Sequence, residues 1–237
     1  VYSFAMRLCG RSDAEGLTQD TLLTMVRSLD SYQGRSSLSS WLFAIARNAC
    51  IKRRRRKQPL AMQESQEGDL DTHLRQGGPE RDLEQGEMAQ LLDSAIRNLD
   101  EKYRDVLVLR DVQGFSGQET ADFLGLSLAG VKSRLHRARS ELRNALGPAL
   151  GYAPKPATGE LCNQIGTVFS KNVEGDLSPD LCRQMESHLE ECGSCQDSCD
   201  ALKSSLSLCQ TLPDEPVPVE LRRQISENFR GIFSSKS

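Results

Sequence analysis

Between Ser116 and Leu146 the chain reads S-G-Q-E-T-A-D-F-L-G-L-S-L-A-G-V-K-S-R-L-H-R-A-R-S-E-L-R-N-A-L, the pattern of two short helices joined by a tight turn. Ser116 with Glu119 three residues on is a capping box, so a helix starts there and runs to Leu124. Gly125 supplies the left-handed cap and Ser127 caps a second helix, which makes a helix-turn-helix. In the second helix Val131, Leu135, Ala138 and Leu142 recur at helical spacing on one apolar face. Lys132, Ser133, His136, Arg137, Arg139 and Arg143 are therefore expected to face outward. A face that is cationic at its edges and hydrogen-bonding near its start suits a major groove, with early residues reading bases and later ones holding phosphates. Lys132, Ser133, Arg134 and Arg137 are the candidate base readers. A solvated basic surface is the plainer alternative, and the coincidence of cap, glycine turn and cations favours DNA.

The string G-F-S-x-x-E-x-A-x-x-L-G-L-S-x-x-x-V-K-S-R-L-H-R-A-R resembles region four of the extracytoplasmic-function sigma factors, subunits that direct bacterial RNA polymerase to promoters. Gly117 and Thr120 depart from the residues usual there, and both lie in the first helix.

The formal net charge of −3 conceals an alternation along the chain. Residues 1–57 carry a net +7, 58–98 a net −6, 99–150 a net +1 and 151–237 a net −5. A basic module, an acidic tether, a second basic helix and an acidic tail suggest nucleic acid at two places and protein partners elsewhere. The apolar runs are too short to cross a bilayer, and no signal peptide opens the chain. A cytoplasmic location is expected, and Val1 implies residues missing upstream.

Residues 1–57 read as helix. Asp13 to Leu23 resembles the sigma region-two segment that grips the largest polymerase subunit. That resemblance nominates Asp13, Glu15, Asp20 and Leu22 as polymerase contacts, whereas the residues alone describe a capped amphipathic surface helix. Gly16 stands where the family has an acidic residue. Leu38, Trp41, Leu42, Ile45 and Ala49 form an apolar stripe. The string F-x-G-x-S-S-L-x-x-W-L-F-x-I-A-R-N, carried here by Tyr32 to Asn48, resembles the promoter-melting module. The resemblance implies that Arg35, Ser36 and Ser37 receive a flipped minus-ten base, and that Arg47, Asn48 and Lys52 contact the opened strand. An unstacked base needs polar edge contacts and cations beside its backbone, which Lys52 to Lys57 provide. Cys9 and Cys50 read as isolated, buried cysteines.

Residues 58–98, polar and acidic with breakers at Pro59, Gly68 and Gly77 to Pro79, are expected to be a tether. Residues 99–148 form the second module, and Pro154 and Pro156 mark a further linker.

Six of the eight cysteines lie between Cys162 and Cys209. Cys162, His188, Cys192 and Cys195 follow C-x25-H-x3-C-x2-C, a spacing in which one His and three Cys can converge on a tetrahedral zinc ion. Gly175 to Pro179 supplies a turn, an N-cap and a proline at the first helical position, placing His188 late on a helix. The arrangement is similar to the zinc-binding anti-sigma domain, in which these four positions are the ligands. Cys182, Cys199 and Cys209 are surplus and suggest an additional or exchangeable metal or a redox partner. A sigma factor ending in such a domain resembles the CorE-like group, whose members respond to copper, cadmium or zinc. A cysteine-rich domain is thus expected over 160–212. A proline-containing linker and short amphipathic helix (Leu221, Ile225, Phe229, Ile232 or Phe233) follow over 213–237, docking on the sigma modules or on the cysteine domain.

The expectation is an all-α transcription initiation factor with core RNA polymerase and promoter DNA as partners, zinc as cofactor, and neither a membrane nor a small-molecule substrate. It is not expected to be an enzyme. A helix-turn-helix regulator without polymerase contact and a thiol-redox protein using Cys192 and Cys195 remain the rivals.

Overall fold

The structure, a computed structural model, describes residues 1–34, 37–57, 80–152 and 160–234. The described elements are helical: α1 (Tyr2–Cys9), α2 (Arg11–Ser28), α3 (Leu38–Lys57), α4 (Glu80–Asn98), α5 (Glu101–Leu107), α6 (Gly117–Leu124), α7 (Leu128–Leu146), α8 (Glu160–Val173), α9 (Pro179–Glu191), α10 (Gly193–Thr211) and α11 (Val219–Ser234). They divide into two compact units, one of α1 to α3 with the segment from Pro213 onward, the other of α4 to α10.

In the first unit α1 is buried along nearly its whole length, with Phe4, Ala5, Met6 and Leu8 at 3% exposure or less. The face of α3 that reaches α1 is Phe43, Ala46 and Cys50, with Phe43 stacked on Phe4 at 4.5 Å between ring centroids. The expected stripe is rotated from this face: Leu38 is exposed, and Trp41, Leu42, Ile45 and Ala49 are only half-buried, Trp41 against Tyr32. The cause is α1, which packs along the Phe43, Ala46 and Cys50 side of α3. Cys9 and Cys50, expected to be isolated and buried, are instead joined as a disulfide across the α1 and α3 seam, with Cys9 half-buried.

The C-terminal segment belongs to this unit. Arg7 donates to the Pro213 carbonyl at 2.8 Å, the Glu215 N–H donates to Ser3 Oγ at 3.0 Å, and Leu221 is buried. Gln19 on α2 donates to Gln224 on α11. The side chains of Ile232 and Phe233 lie outside the described residues, as do the linker prolines Pro59, Pro154 and Pro156.

In the second unit the helix-turn-helix forms as its residues dictate. Ser116 accepts from the Glu119 N–H while Glu119 reaches back to the Ser116 N–H, and Gly125 takes φ 64°. Ser127 caps α7, whose Val131, Leu135, Ala138 and Leu142 are fully buried. Truncating such a leucine costs about 2–5 kcal/mol. The tether expected over 58–98 is corrected for its second half, because 80–98 form α4 and its Leu92 and Ile96 are completely buried. Met88, Leu92, Ile96 and Leu99 carry a helical apolar spacing that the surrounding acidic residues hide.

The last three helices of this unit, α8 to α10, enclose a small core of Ile165, Val168, Phe169, Met185, Cys199, Leu202 and Leu206. Among the described residues no helix is long and apolar enough to cross a membrane.

Candidate nucleic-acid interface and metal centre

The four residues of the C-x25-H-x3-C-x2-C pattern come together at one end of the α8 to α10 core. Cys162 stands in the first turn of α8 and His188 in the last turn of α9. Cys192 occupies the junction, and Cys195 lies in the first turn of α10. Gly175 (φ 71°) closes α8, and Ser178 with Pro179 starts α9, so the chain reverses in time to return His188 to Cys162. The Cys192 N–H bonds the His188 carbonyl and the Cys195 N–H bonds the Cys192 carbonyl, which folds the knuckle.

The four ligand atoms lie within 4.8 Å of one another, with Cys162 Sγ 3.4 Å from His188 Nε2 and 3.9 Å from Cys192 Sγ. Tetrahedral zinc with bonds of about 2.3 Å places its sulfurs about 3.8 Å apart, so the donor set fits that ion. Burial, followed by hydrogen bonds that the Cys195 thiol makes to Cys162 and Cys192, pushes that thiol up to about 12. Without an opposing cation Cys195 favours its protonated form, and a bound metal would take its thiolate. Cys182, Cys199 and Cys209 do not join the cluster. Cys199 and Cys209 are buried on α10, and Cys182 on α9 faces Glu186.

The α7 face expected to meet DNA carries another part of the same chain. Lys132 pairs with Asp176 at 2.5 Å, His136 Nε2 lies 3.0 Å from Thr167 Oγ1, and Arg143 donates to Ser198 Oγ at 2.8 Å. Arg139 does not face outward. It is 1% exposed, bidentate on Asp111 at 2.7 and 2.9 Å, and holds Glu174 at 2.7 Å and Ser170 at 3.3 Å. Burial opposes its charge and the two carboxylates more than offset that, raising its pKa. Arg110 takes the other oxygen of Glu174. Ser133 and Arg137 are exposed, and Arg134 is half-buried.

Sequence reasoning missed the α8 and α10 side of this contact: Gly166, Thr167, Ser170, Glu174, Asp176 and Ser198. A Cβ on Gly166 would stand 3.2 Å from the Arg143 guanidinium and 3.9 Å from His136, so the glycine sets how closely α8 approaches α7. An isolated glycine inside a helical pattern is the legible sign of such an approach.

In the first unit the expected residues are arranged differently. Asp13 is half-buried, Glu15 and Asp20 exposed and Leu22 half-buried. Arg53 of α3 crosses α2 to bond Asp20 at 2.6 Å and the Asp13 carbonyl at 3.4 Å. It passes where a Cβ of residue 16 would be, 2.8 Å from the guanidinium, so Gly16 makes room for the crossing while α2 stays continuous. Ser37 caps α3 through the Ser40 N–H. Arg47 is half-buried, and the exposed Asn48 and Lys52, with Ile51 and Arg56, line an open groove of about 530 Å³. Arg35 and Ser36 lie outside the described residues.

Three family models match the chain: "Sigma-70 region 2" over residues 1–59, "Sigma-70, region 4" over 89–142 and "Putative zinc-finger" over 162–196. The ECF RNA polymerase sigma factor EcfG of Rhodopseudomonas palustris is 35% identical over 141 residues, covering 59% of this chain and 75% of that relative. The RNA polymerase sigma factor YlaC of Bacillus subtilis is 34% identical over 130 residues, covering 55% and 75%. Among solved structures, the sigma factor RpoE of Bartonella quintana in complex with the anti-sigma factor NepR matches at a TM-score of 0.46 and 28% identity, covering 61% of this chain and 88% of that one.

Proposed function

Because this chain belongs to the extracytoplasmic-function sigma factors of the sigma-70 family, whose members bind core RNA polymerase and promoter DNA, we propose that it is a promoter-specificity subunit carrying its own metal-responsive regulator. Residues 1–57 grip polymerase through Asp13, Glu15, Asp20 and Leu22 on α2. They hold opened promoter through Arg35 to Ser37, Arg47, Asn48 and Lys52. The second module, extended back to α4, reads the minus-thirty-five element through Lys132, Ser133, Arg134 and Arg137. The tail, with its centre at Cys162, His188, Cys192 and Cys195, governs access to that reading helix.

One arrangement carries the regulatory reading: the helices that hold the ligands also cover α7. Cys162 opens α8, and Thr167 and Ser170 further along it bond His136 and Arg139. Cys195 opens α10, and Ser198 one turn later bonds Arg143. Whatever orders the ligand cluster therefore orders the cover. Asp176, Glu174 and the serine and threonine hydroxyls present to α7 the acceptor chemistry of DNA phosphates, and the two cannot occupy its cations together. A cation bound at the four ligands would tie α8, α9 and α10 at one end and supply the charge that thiolates need. To act as a signal it must bind the covering and uncovering states unequally. The Cys3His set suits zinc, and thiolates also accept the softer copper and cadmium ions.

Transcription from the cognate promoter, measured through zinc, cadmium and copper titrations, tests the reading. The intact chain is expected to respond to metal. A Glu174→Gln, Asp176→Asn variant, with its cover weakened, is expected to be active at every metal level. Equal, metal-blind activity of both sinks the regulatory part. Charge reversal at Asp13, Glu15 and Asp20 is expected to abolish binding to core polymerase, and unchanged binding would overturn the assignment of α2.

A further inference from the structure

Cys9 ends α1 and Cys50 lies on α3, and the two are bonded across a Cα–Cα distance of 5.9 Å, inside the range that a disulfide spans. We propose that this pair is a reversible dithiol–disulfide couple, opened and closed by exchange with small-molecule thiols and separate from the cysteine cluster of the tail. The site requires nothing of the metal reading.

Packing along the α1 and α3 seam before the pair holds it in register. Phe4 stacks on Phe43 toward one end of the α1 and α3 seam, Leu8 is 2% exposed and Ala46 fully buried. These contacts do not depend on the oxidation state of the sulfurs, so the reduced thiols remain neighbours and ring closure needs little rearrangement. Access to the two sulfurs is unequal. Cys50 is 1% exposed, whereas Cys9 is half-buried where the chain turns at Gly10. Cys9 is therefore the sulfur that meets an incoming disulfide, and Cys50 is the resolving partner.

The chemistry follows from that order. The Cys9 thiolate attacks one sulfur of a low-molecular-weight disulfide RSSR, forming a mixed disulfide and releasing one RS⁻, which takes up a proton as RSH. The Cys50 thiolate then attacks the Cys9 sulfur and expels the second RSH. Two protein thiols are oxidised to one disulfide while RSSR is reduced to two RSH, and excess RSH reverses both steps. The bond closes a sequence separation of 41 residues, enclosing α2 and staples α1 to the helix that carries Asn48 and Lys52. Paired cysteines in proteins kept among reducing thiols are commonly transient and redox-sensing rather than structural.

The test equilibrates the zinc-loaded full-length chain with oxidised or reduced glutathione, followed by alkylation, peptide mapping and a thermal melt. Oxidation is expected to join the Cys9 and Cys50 peptides and to raise the melting midpoint of the first unit by on the order of 10 °C. Reduced glutathione is expected to reverse both. Cys50→Ala is expected to retain glutathione on Cys9 and lose the midpoint shift. Should that variant fail to fold, Cys9→Ser at the half-buried position must equally abolish the cross-link. Free, alkylatable Cys9 and Cys50 after full equilibration with oxidised glutathione overturn the proposal, and so does joining of either to a tail cysteine.

Discussion

The basic helix of the first unit and the basic helix of the second differ in what stands over them. On α3, Asn48, Lys52 and Arg56 are exposed along an open groove. On α7, Lys132, His136, Arg139 and Arg143 are bonded to groups of α8, α10 and the turn between α8 and α9. Both helices advertise nucleic-acid chemistry by composition, but on α3 Lys52 and Arg56 stay exposed while Arg53 is paired, whereas on α7 four of the basic side chains are held by α8, α10 and their neighbours and Arg137 stays exposed. Cation content describes what a helix could bind, and the partners already seated on it decide whether it does so. The two units also use arginine differently. Arg53 crosses α2 at the surface, where an exposed pair contributes at most about 1 kcal/mol, whereas Arg139 is buried between two carboxylates, where losing one partner costs about 3–5 kcal/mol.

The contrast breaks most completely at the ligand cluster. Cys195→Ser removes one of the four donors of the cluster proposed to hold a metal, and structural zinc contributes on the order of 10–16 kcal/mol in small zinc domains. Bound zinc is expected to disappear, and hydrogen exchange across α8 to α10 and over α7 to accelerate, while α3 keeps its wild-type rates. Unchanged protection of α7 would separate the cover from the metal centre.

A smaller effect is expected from Gly166→Leu, which drives a side chain into the space between α8 and the Arg143 guanidinium. Overpacking of this kind costs about 1–3 kcal/mol, equivalent to roughly a 5- to 150-fold gain in affinity of α7 for a minus-thirty-five duplex. Fluorescence anisotropy should register the gain with zinc content preserved. Equal affinity in variant and wild type would mean that the approach of α8 does not limit α7.

Thr120 sharpens the comparison by changing stability without touching the cover. It is fully buried and its hydroxyl has no hydrogen-bond partner. Thr120→Val is expected to stabilise the second unit by about 1 kcal/mol in urea unfolding and to leave duplex binding unchanged. A destabilised variant would show that the hydroxyl is satisfied after all.

The smallest effect concerns pH. Burial, then the charges of Arg137, Arg143 and Arg139, lowers the pKa of His136 below its ordinary 6.5. Neutral imidazole is therefore favoured when α8 is docked. The contribution is fully present above 6.5 and is lost as the pH falls from 6.5 through the depressed value. Docking should weaken modestly toward pH 5.5, read as faster exchange of α7 amides, and His136→Gln should flatten that dependence.

Several of these features are legible in the sequence alone. Ser116, Glu119, Gly125 and Ser127 specify their helices through hydrogen bonds within a few residues, so the helix-turn-helix could be read directly. His188, Cys192 and Cys195 are neighbours in the chain, and the turn at Gly175 indicated how Cys162 would rejoin them. The start of α4 was hidden because acidic residues mask an apolar repeat that becomes meaningful only against the core that buries Leu92 and Ile96. The pairing of Cys9 with Cys50 and the burial of Arg139 were equally hidden, since each depends on a partner many positions away.

The sequence by itself determined the helix-turn-helix with its caps and the four Cys and His residues that come together, because local hydrogen bonds and periodic burial act over one or two turns. Only the tertiary structure decided which face of α3 meets α1, that Gly16 and Gly166 are spaces kept for an arginine and for a helix, and that α7 is already occupied. Those outcomes depend on the close fit of surfaces distant in the chain, where a single Cβ or one carboxylate sets the distance.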